Sequence, residues 1–275
     1  NWRDDWENRY RFRVDRMDRP IVPGNFTKIA DGILELQGRV AIQTKGGIDN
    51  GRVKGARLED QRVSNFSLGG EHYFGKLRMD WSGTYNTALE DRPNERYITH
   101  RSNKTVIVDT RDPRKYVVNL KNFDDELTLA LNEIYESSNN TNEQDLNARL
   151  DFEYPIVNGK GKLYAGARFR GKEKERVNTY DIYDPIVDLT PEGNSLGSLP
   201  VSRQDERDFL NGDQYVPGRF VKREYLGGLN FSDTSLFDKE DAIAEYITSN
   251  YSASEKILGG YLMADYKLSN KLMAI

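Results

Sequence analysis

Alternation of apolar and polar residues is the strongest pattern in this sequence. From Leu146 to Tyr154 every second residue is apolar, and every residue between them is polar. After the short stretch 155–161 the alternation resumes, with Leu163, Ala165, Ala167 and Phe169 on one side and Lys162, Arg168, Arg170 and Lys172 on the other. A period of two is typical of a strand with one apolar and one polar face. The pattern therefore predicts a long antiparallel hairpin over 144–174.

The same alternation predicts further strands before and after this hairpin. Tight turns are predicted at Gly75, at 155–161 and at 269–270, and long connections are predicted between the other strands. Counting the hairpin, the pattern gives six complete strands and the start of a seventh. The strands outside the hairpin are Trp6–Asp15, Phe66–Phe74, Leu77–Tyr85, Ser254–Leu268 and a last one that begins at Leu272.

The long connections carry weaker signals. A short strand over 33–43 is predicted in the first connection, and strand extensions over 97–99, 106–108 and 116–120 in the second. The acidic run 124–126 precedes residues that fit either a capped helix or a strand. A helix over 239–248, capped by Asp238, is predicted in the third connection.

The order of the connections distinguishes two architectures that the alternation leaves open. A soluble sheet and a transmembrane barrel both produce strands with one apolar face. Here every second connection is a tight turn and the others are long, as in outer-membrane barrels with short periplasmic turns and long extracellular loops. We therefore predict an all-β, transmembrane, antiparallel up-and-down β-barrel. No run of 18 apolar residues predicts a membrane-spanning helix.

Composition and charge exclude several other classes. Hydrophobic residues make up 37% and charged residues 31%, with a mean hydropathy of −0.78, yet 16 Tyr and 11 Phe argue against disorder. A net charge of −4 gives no reason to expect a nucleic-acid partner. With no cysteine and two histidines, neither a metal site nor a disulfide is predicted. No catalytic motif is found, so neither enzyme activity nor a cofactor is predicted.

Several short stretches resemble the barrel portion of TonB-dependent outer-membrane receptors, particularly the large transporters of Bacteroidota. The resemblance covers most of residues 60–275 in scattered pieces of strand and turn. It implies a barrel of 22 strands around an N-terminal plug, of which residues 1–275 are an internal segment, with the plug and the C-terminal strands outside this chain. The stretches are Ser67–His72, Lys76–Trp81, Asn94–Tyr97, Asp151–Pro155, Gly159–Leu163 and Ala253–Tyr261.

This resemblance also implies a function and a location. A receptor of this kind imports a scarce nutrient, such as a siderophore, glycan, peptide or cobalamin, across the bacterial outer membrane. The implied partners are outer-membrane lipid, the plug domain of the same protein, the TonB–ExbB–ExbD energy-transducing complex and a surface lipoprotein. A passive porin or structural outer-membrane protein and a soluble extracellular β-rich binding protein are the alternatives.

The barrel prediction assigns each alternating side chain to lipid or to the lumen. Four aromatic residues, Trp81, Tyr85, Tyr154 and Tyr266, are predicted to anchor at the membrane interfaces. The lumen-facing residues are predicted to be Arg78, Asp80, Arg149, Asp151, Glu153, Arg168 and Arg170. The lipid-facing residues are predicted to be Leu77, Met79, Trp81, Tyr85, Leu146, Leu150, Phe152, Leu163, Phe169, Leu258, Leu262 and Tyr266. Substrate contacts are predicted in the loops at Tyr97, Tyr116, Tyr180, Tyr183 and Tyr215.

Overall fold

The computed structural model describes residues 2–7, 9–15, 26–48, 54–157, 160–204, 218–269 and 272–275. Within these ranges the chain is all-β and every strand pairing is antiparallel, which confirms the coarse fold prediction. The strands are β1 Trp2–Glu7, β2 Arg9–Asp15, β3 Phe26–Ala30, β4 Ile33–Gly47, β5 Arg57–Phe74, β6 Leu77–Asp109, β7 Val117–Leu120, β8 Leu131–Ile156, β9 Gly161–Pro185, β10 Val201–Gln204, β11 Gly218–Val221, β12 Phe237–Asp241, β13 Tyr251–Ser269 and β14 Leu272–Ala274.

Twelve strands form one sheet, and β10 and β11 form a separate hairpin. The main path through the sheet is β1-β5-β6-β8-β9-β13-β14, in chain order. The predicted single strand Trp6–Asp15 is wrong: β1 ends at Glu7 and pairs with β5, whereas β2 begins at Arg9 and pairs with β4, off this path. No pairing among the described residues joins β1 to β14, so this sheet is open. A 22-stranded barrel is too large for a chain of 275 residues with strands of this length.

The second long connection predicted from the sequence is largely strand. β6 continues without interruption for 33 residues, well beyond the predicted end at Tyr85. One edge of this strand is occupied in turn by β5, along 77–91, and by β4, along 95–109. β1 and β2 extend the sheet outward in the same way, beside β5 and β4 respectively. The short strand predicted over 33–43 is therefore part of a longer one.

The helices differ from the predicted ones. The acidic run 124–126 lies in a short 3-10 helix, Phe123–Thr128, whereas Leu131 and Ile134 belong to β8. The predicted helix over 239–248 is wrong in its first half, because 237–241 form β12 and pair with the end of β9. The other helices are α1 Arg223–Gly228, α2 Ile243–Tyr246 and two 3-10 turns, Leu196–Ser198 and Ile247–Ser249.

The buried core lies at one end of the sheet. We call the end built from β2, β4, 95–109, 131–137 and 178–185 the core half, and the end at the tight turns, built from 63–91, 139–177 and 251–269, the turn half. In the core half, described parts of the segment 186–250 cover one sheet face. The core residues are Leu36, Val40, Ile42, Ile98, Val106, Val108, Leu129, Ile134, Tyr183, Leu196, Leu199, Phe220, Val221, Leu226, Phe231 and Phe237.

Candidate functional site

The turn half of the sheet has one continuous apolar face. The strand register brings mostly apolar residues of β5, β6, β8, β9 and β13 side by side in six rows. The rows are Phe66, Tyr85, Leu146, Gly171 and Lys256; Leu68, Gly83, Ala148, Phe169 and Leu258; Gly70, Trp81, Leu150, Ala167 and Gly260; His72, Met79, Phe152, Ala165 and Leu262; Phe74, Leu77, Tyr154, Leu163 and Ala264; and Ile156, Gly161 and Tyr266. We call these rows the apolar band.

The apolar band ends abruptly on the side of the core half. Lys256, in the first row, is the one charged residue in the six rows of these described strands. Ten residue steps from Leu146 to Ile156 span roughly 33 Å along the strand, or about 25 Å at a tilt of about 40°. Beyond the first row, three rows toward the core half are mostly polar and contain Ser64, Thr87, Gln144, Glu173, Arg62, Asn142, Glu175, Asp60, Asp91 and Asn140.

Register places all twelve residues predicted to face lipid in the apolar band. Leu258 and Leu262 are 80% and 75% exposed, so protein covers little of their surface among the described residues. Tyr85 lies in the first row and Tyr154 and Tyr266 in the last two, as interface anchors would. Trp81 instead lies in the third row, where its indole nitrogen donates to Nε2 of His72 at 3.0 Å.

The opposite face of the turn half is strongly charged, and register places all seven residues predicted to face the lumen there. Arg78 contacts Glu71 at 3.0 Å and Glu153 at 3.7 Å, and Lys162 contacts Glu153 at 2.6 Å. Arg149 pairs with Asp151, which also accepts a hydrogen bond from the Tyr261 hydroxyl at 3.0 Å. An open depression of about 510 Å³ is bordered by Arg78, Arg149, Asp151, Glu153 and Tyr261. We call this surface the polar face.

A ladder of three tyrosines continues the polar face into the core half. The rings of Tyr97 and Tyr135 stack at 4.1 Å, and those of Tyr135 and Tyr180 at 4.3 Å. Tyr135 was missed by the sequence analysis because it was placed in a connection; only the pairing of β6 with β8 brings it beside Tyr97. Burial raises the pKa of all three hydroxyls, so the tyrosines are neutral at physiological pH.

A group of buried charges lies beside the first ring of this ladder. The carboxylate of Glu95 contacts Nζ of Lys45 at 3.1 Å, accepts a hydrogen bond from the Tyr97 hydroxyl at 2.9 Å and pairs with Arg57. Burial opposes the charged form of Glu95, but Lys45, Tyr97 and Arg57 outweigh it and lower the pKa. Burial lowers the pKa of Lys45, against the attraction of Glu95. This ion pair holds Lys45 over the Tyr97 ring, 4.9 Å from its centroid.

The structure separates the five tyrosines predicted to contact substrate. Tyr97 and Tyr180 belong to the ladder on the polar face. Tyr183 is only 5% exposed and stacks on Phe231 at 4.1 Å, within the core. Tyr116 is 56% exposed in the loop between β6 and β7, far along the sheet from the tight turns. Tyr215 lies outside the described residues.

Comparisons with known proteins do not show a family for this chain. No protein-family model, no curated protein and no solved structure matches it. In the described part of the chain, no helix is long and apolar enough to cross a membrane. Among the same residues, no group of three or more His, Cys, Asp or Glu side chains is arranged to hold a metal ion.

Proposed function

We propose that this chain forms part of the wall of a transmembrane β-barrel in the bacterial outer membrane. The apolar band carries the proposal, because its ten residue steps, at the strand tilt of such barrels, would give about 25 Å, the height of their lipid-facing band. A charged side chain at the midplane of a lipid-facing surface costs about 2–4 kcal/mol, and the central rows have none among the described residues. The polar face then lines the interior, where charges remain hydrated or contact protein.

An open sheet requires further strands to complete such a barrel. The edge of β5 opposite β6 is paired with β1 only along 57–62, which leaves 63–74 without a second neighbour among the described strands. Unpaired backbone groups do not face lipid, so a membrane-spanning sheet must close. In the proposal, additional strands complete a barrel of 22, with a plug domain inside it.

The proposed function of this barrel is active uptake of a scarce nutrient. The resemblance to TonB-dependent receptors supports this proposal. The extension of the sheet beyond the apolar band, on the side away from the tight turns, supports it as well. β6 extends 24 residues beyond Tyr85, to Asp109, and the core half stands outside the membrane. In this arrangement the TonB–ExbB–ExbD complex supplies energy through the plug, and a surface lipoprotein meets the core half.

Lipid quenching tests the membrane assignment. Because these 275 residues contain no cysteine, a single fluorophore can be placed at Ala148→Cys, in the apolar band, or at its neighbour Asn147→Cys, on the polar face. In liposomes of the full-length protein, brominated lipid should quench the first label strongly and the second weakly. Equal quenching, or a monomeric folded protein in buffer without detergent, would overturn the proposal and favour the soluble binding protein.

Uptake measurements test the energy source. Substrate uptake by cells should stop when the proton gradient of the inner membrane is collapsed or TonB is deleted. Uptake that continues at the same rate after either treatment would favour a passive porin. The lipid-quenching result would then still stand, since it reports on the wall and not on the energy source.

A further inference from the structure

One lateral edge of the core half carries an excess of negative charge. There β12 pairs with the end of β9, along 181–185. On either side of this pairing, the backbone N–H of Ile186 donates to the Leu236 carbonyl oxygen at 2.9 Å, and that of Ala242 donates to the Tyr180 carbonyl oxygen at 3.0 Å. The segments 181–188 and 233–247 therefore form one continuous surface. We call it the acidic ledge; its charged residues are Asp181, Asp184, Asp188, Asp233, Asp238, Lys239, Glu240, Asp241 and Glu245.

The charge of the acidic ledge differs from that of the rest of the chain. Its 23 residues include eight carboxylates and one lysine, a net charge of −7, whereas the whole chain has a net charge of −4 and the remaining residues therefore +3. Lys239 contacts Asp181 at 2.9 Å and also attracts Asp241. Within the described ranges, the carboxylates of the ledge other than Asp181 make no ion pair.

Groups around the acidic ledge do not cancel its charge. Arg101 attracts Glu133, which lies next to the ledge on β8, but burial and the carboxylates of Glu245 and Asp184 act against it and the pKa of Glu133 is raised. Apart from Lys239, the groups seen to donate hydrogen bonds to ledge carboxylates are neutral, namely the Tyr246 and Ser235 hydroxyls, the Ser235 backbone and the Asn194 amide. The negative potential of the ledge is therefore open to a cation from outside the chain.

Exposed apolar side chains lie among these carboxylates. Five of them are between 38% and 56% exposed: Ile186, Val187, Leu236, Ile243 and Ile247. Ile243 and Ile247 are four residues apart in the helical segment that follows β12, so they lie on one side of it. Apolar side chains that remain exposed within a charged surface are typical of a site that contacts another protein.

The dimensions of the acidic ledge favour a large partner. No three acidic side chains of the described residues converge as ligands of a metal ion. The carboxylates instead follow β12, whose five residues alone span about 13 Å, and continue into α2. Complementary charge steers a partner to such a surface, and apolar contacts then hold it.

We propose that the acidic ledge docks a separate protein, which covers it with a basic surface that has apolar side chains at its centre. This inference goes beyond the proposed uptake function. It rests on one part of that proposal, the position of the core half outside the membrane.

Photo-crosslinking of the full-length protein in its native host tests the inference. A benzophenone amino acid is placed at Val187 or Ile243, in the ledge, and in a control at Ile29, which is 53% exposed on β3 at the other side of the sheet. Both ledge positions should crosslink to the same second protein, identified by mass spectrometry, and Ile29 should not. No crosslinked product, a crosslink within the chain or a crosslink to lipid at the ledge would overturn the inference.

Charge variants test the chemistry of that contact with the purified partner. Wild-type full-length protein in detergent should bind it with an affinity that falls as NaCl is added. E240Q/E245Q should bind at least about tenfold more weakly. The matched variant E173Q/E255Q, which removes two exposed carboxylates outside the ledge, should bind within about twofold of the wild type. The gel mobility of unheated samples should show that both variants are folded.

Equal affinity of E240Q/E245Q and the wild type would also overturn the inference. The lipid-quenching labels lie in the turn half and report on the membrane wall. A failure of docking therefore leaves the membrane assignment standing, and a failure of lipid quenching with docking intact removes the transport proposal alone.

Discussion

The apolar face of this sheet is covered in one half of the molecule and uncovered in the other. In the core half, Phe220 from the segment 186–250 is 1% exposed, packed on the residues of β2 and β4. In the turn half, Leu258 on the same sheet remains 80% exposed. Strand β2 in the core half alternates as clearly as the 144–156 part of β8 in the turn half. The difference shows that a period of two reports an apolar face but not what covers it.

The boundary between the two halves is a physical one. Three mostly polar rows, with Asp60, Asp91 and Glu175 among them, separate the apolar band from the core. A sheet face covered by protein along its whole length would be expected to stay apolar across these rows. In the proposed membrane arrangement, these rows would lie where the headgroups meet the solvent.

The largest expected effect is in the core half. Phe220→Ala should destabilise that half by about 3–5 kcal/mol, since it opens a cavity under Tyr10. Hydrogen exchange should then accelerate in β2 and β4 and remain slow in residues 144–156. Exchange that accelerates equally in both halves would contradict the separation drawn here.

A charge introduced into the apolar band should perturb the turn half instead of the core half. Leu150→Arg lies in the third of six rows and should cost about 2–4 kcal/mol, which blocks assembly into liposomes. Asn147→Arg, three residues earlier and on the polar face, is the matched control and should assemble nearly as well as wild type. The assembled fraction can be read from the gel mobility of unheated samples. Equal losses would refute the assignment of faces.

Acid should weaken the core half through His100. Burial lowers the pKa of His100 to about 4, while Nε2 contacts the Asn194 carbonyl oxygen at 3.1 Å. The unfolded chain therefore takes up this proton at a higher pH than the folded one, and stability falls as the pH drops from about 6.5 to about 4. The loss should reach up to about 3 kcal/mol.

The variant His100→Gln tests that pH dependence. It should remove most of the change in stability between pH 6.5 and pH 4, measured by urea unfolding of the core half in detergent. His72, in the apolar band, provides the control position, and His72→Gln should leave the pH profile of the core half unchanged. An unchanged profile in His100→Gln would show that another group is responsible.

The smallest expected effect concerns one hydrogen bond. The buried Thr44 hydroxyl donates to the Val221 carbonyl oxygen at 2.8 Å and ties β4 to the covering segment. Thr44→Val should cost about 1 kcal/mol of core-half stability, because it leaves that carbonyl without its donor. Thr84→Val, on the polar face of the turn half, should change stability by less than about 0.5 kcal/mol. Urea unfolding of the two variants provides the comparison.

The sequence predicted the turn half well because alternation there is unbroken. One period of two on each strand assigns Tyr85, Leu146, Ala148 and Phe169 to one face, and the strand register places them on that face. In the core half the register shifts between Arg92 and Glu95 and again between Thr99 and His100. Odd positions of β6 carry the apolar residues before the first shift, and even positions such as Ile98 and Val106 carry them after it. A single apolar–polar period therefore does not describe the whole of β6, and its part in the core half could not be recognised from alternation.

The contacts of the tyrosine ladder and of the β2 arginines could not be predicted, for a related reason. The alternation of Arg9, Arg11 and Arg13 was visible, but their partners lie on β4 and β6, far along the chain. Tyr183 shows the converse, since an exposed loop position was expected and the covering residues Phe231 and Phe237 bury it. Contacts of this kind can be predicted only when it is known which strands are neighbours in the sheet.

The distance along the chain between the two sides of the core has a consequence for the order of assembly. Thr44 and Val221 are separated by 177 residues, whereas the hairpins of the turn half close through turns of a few residues. Closing a long loop costs more entropy and more time than closing a short one. During folding, the apolar side of β2 and β4 therefore stays uncovered until the segment 186–250 packs on it. Until then the apolar side of these strands must be kept from other contacts. The hairpins of the apolar band close without this delay.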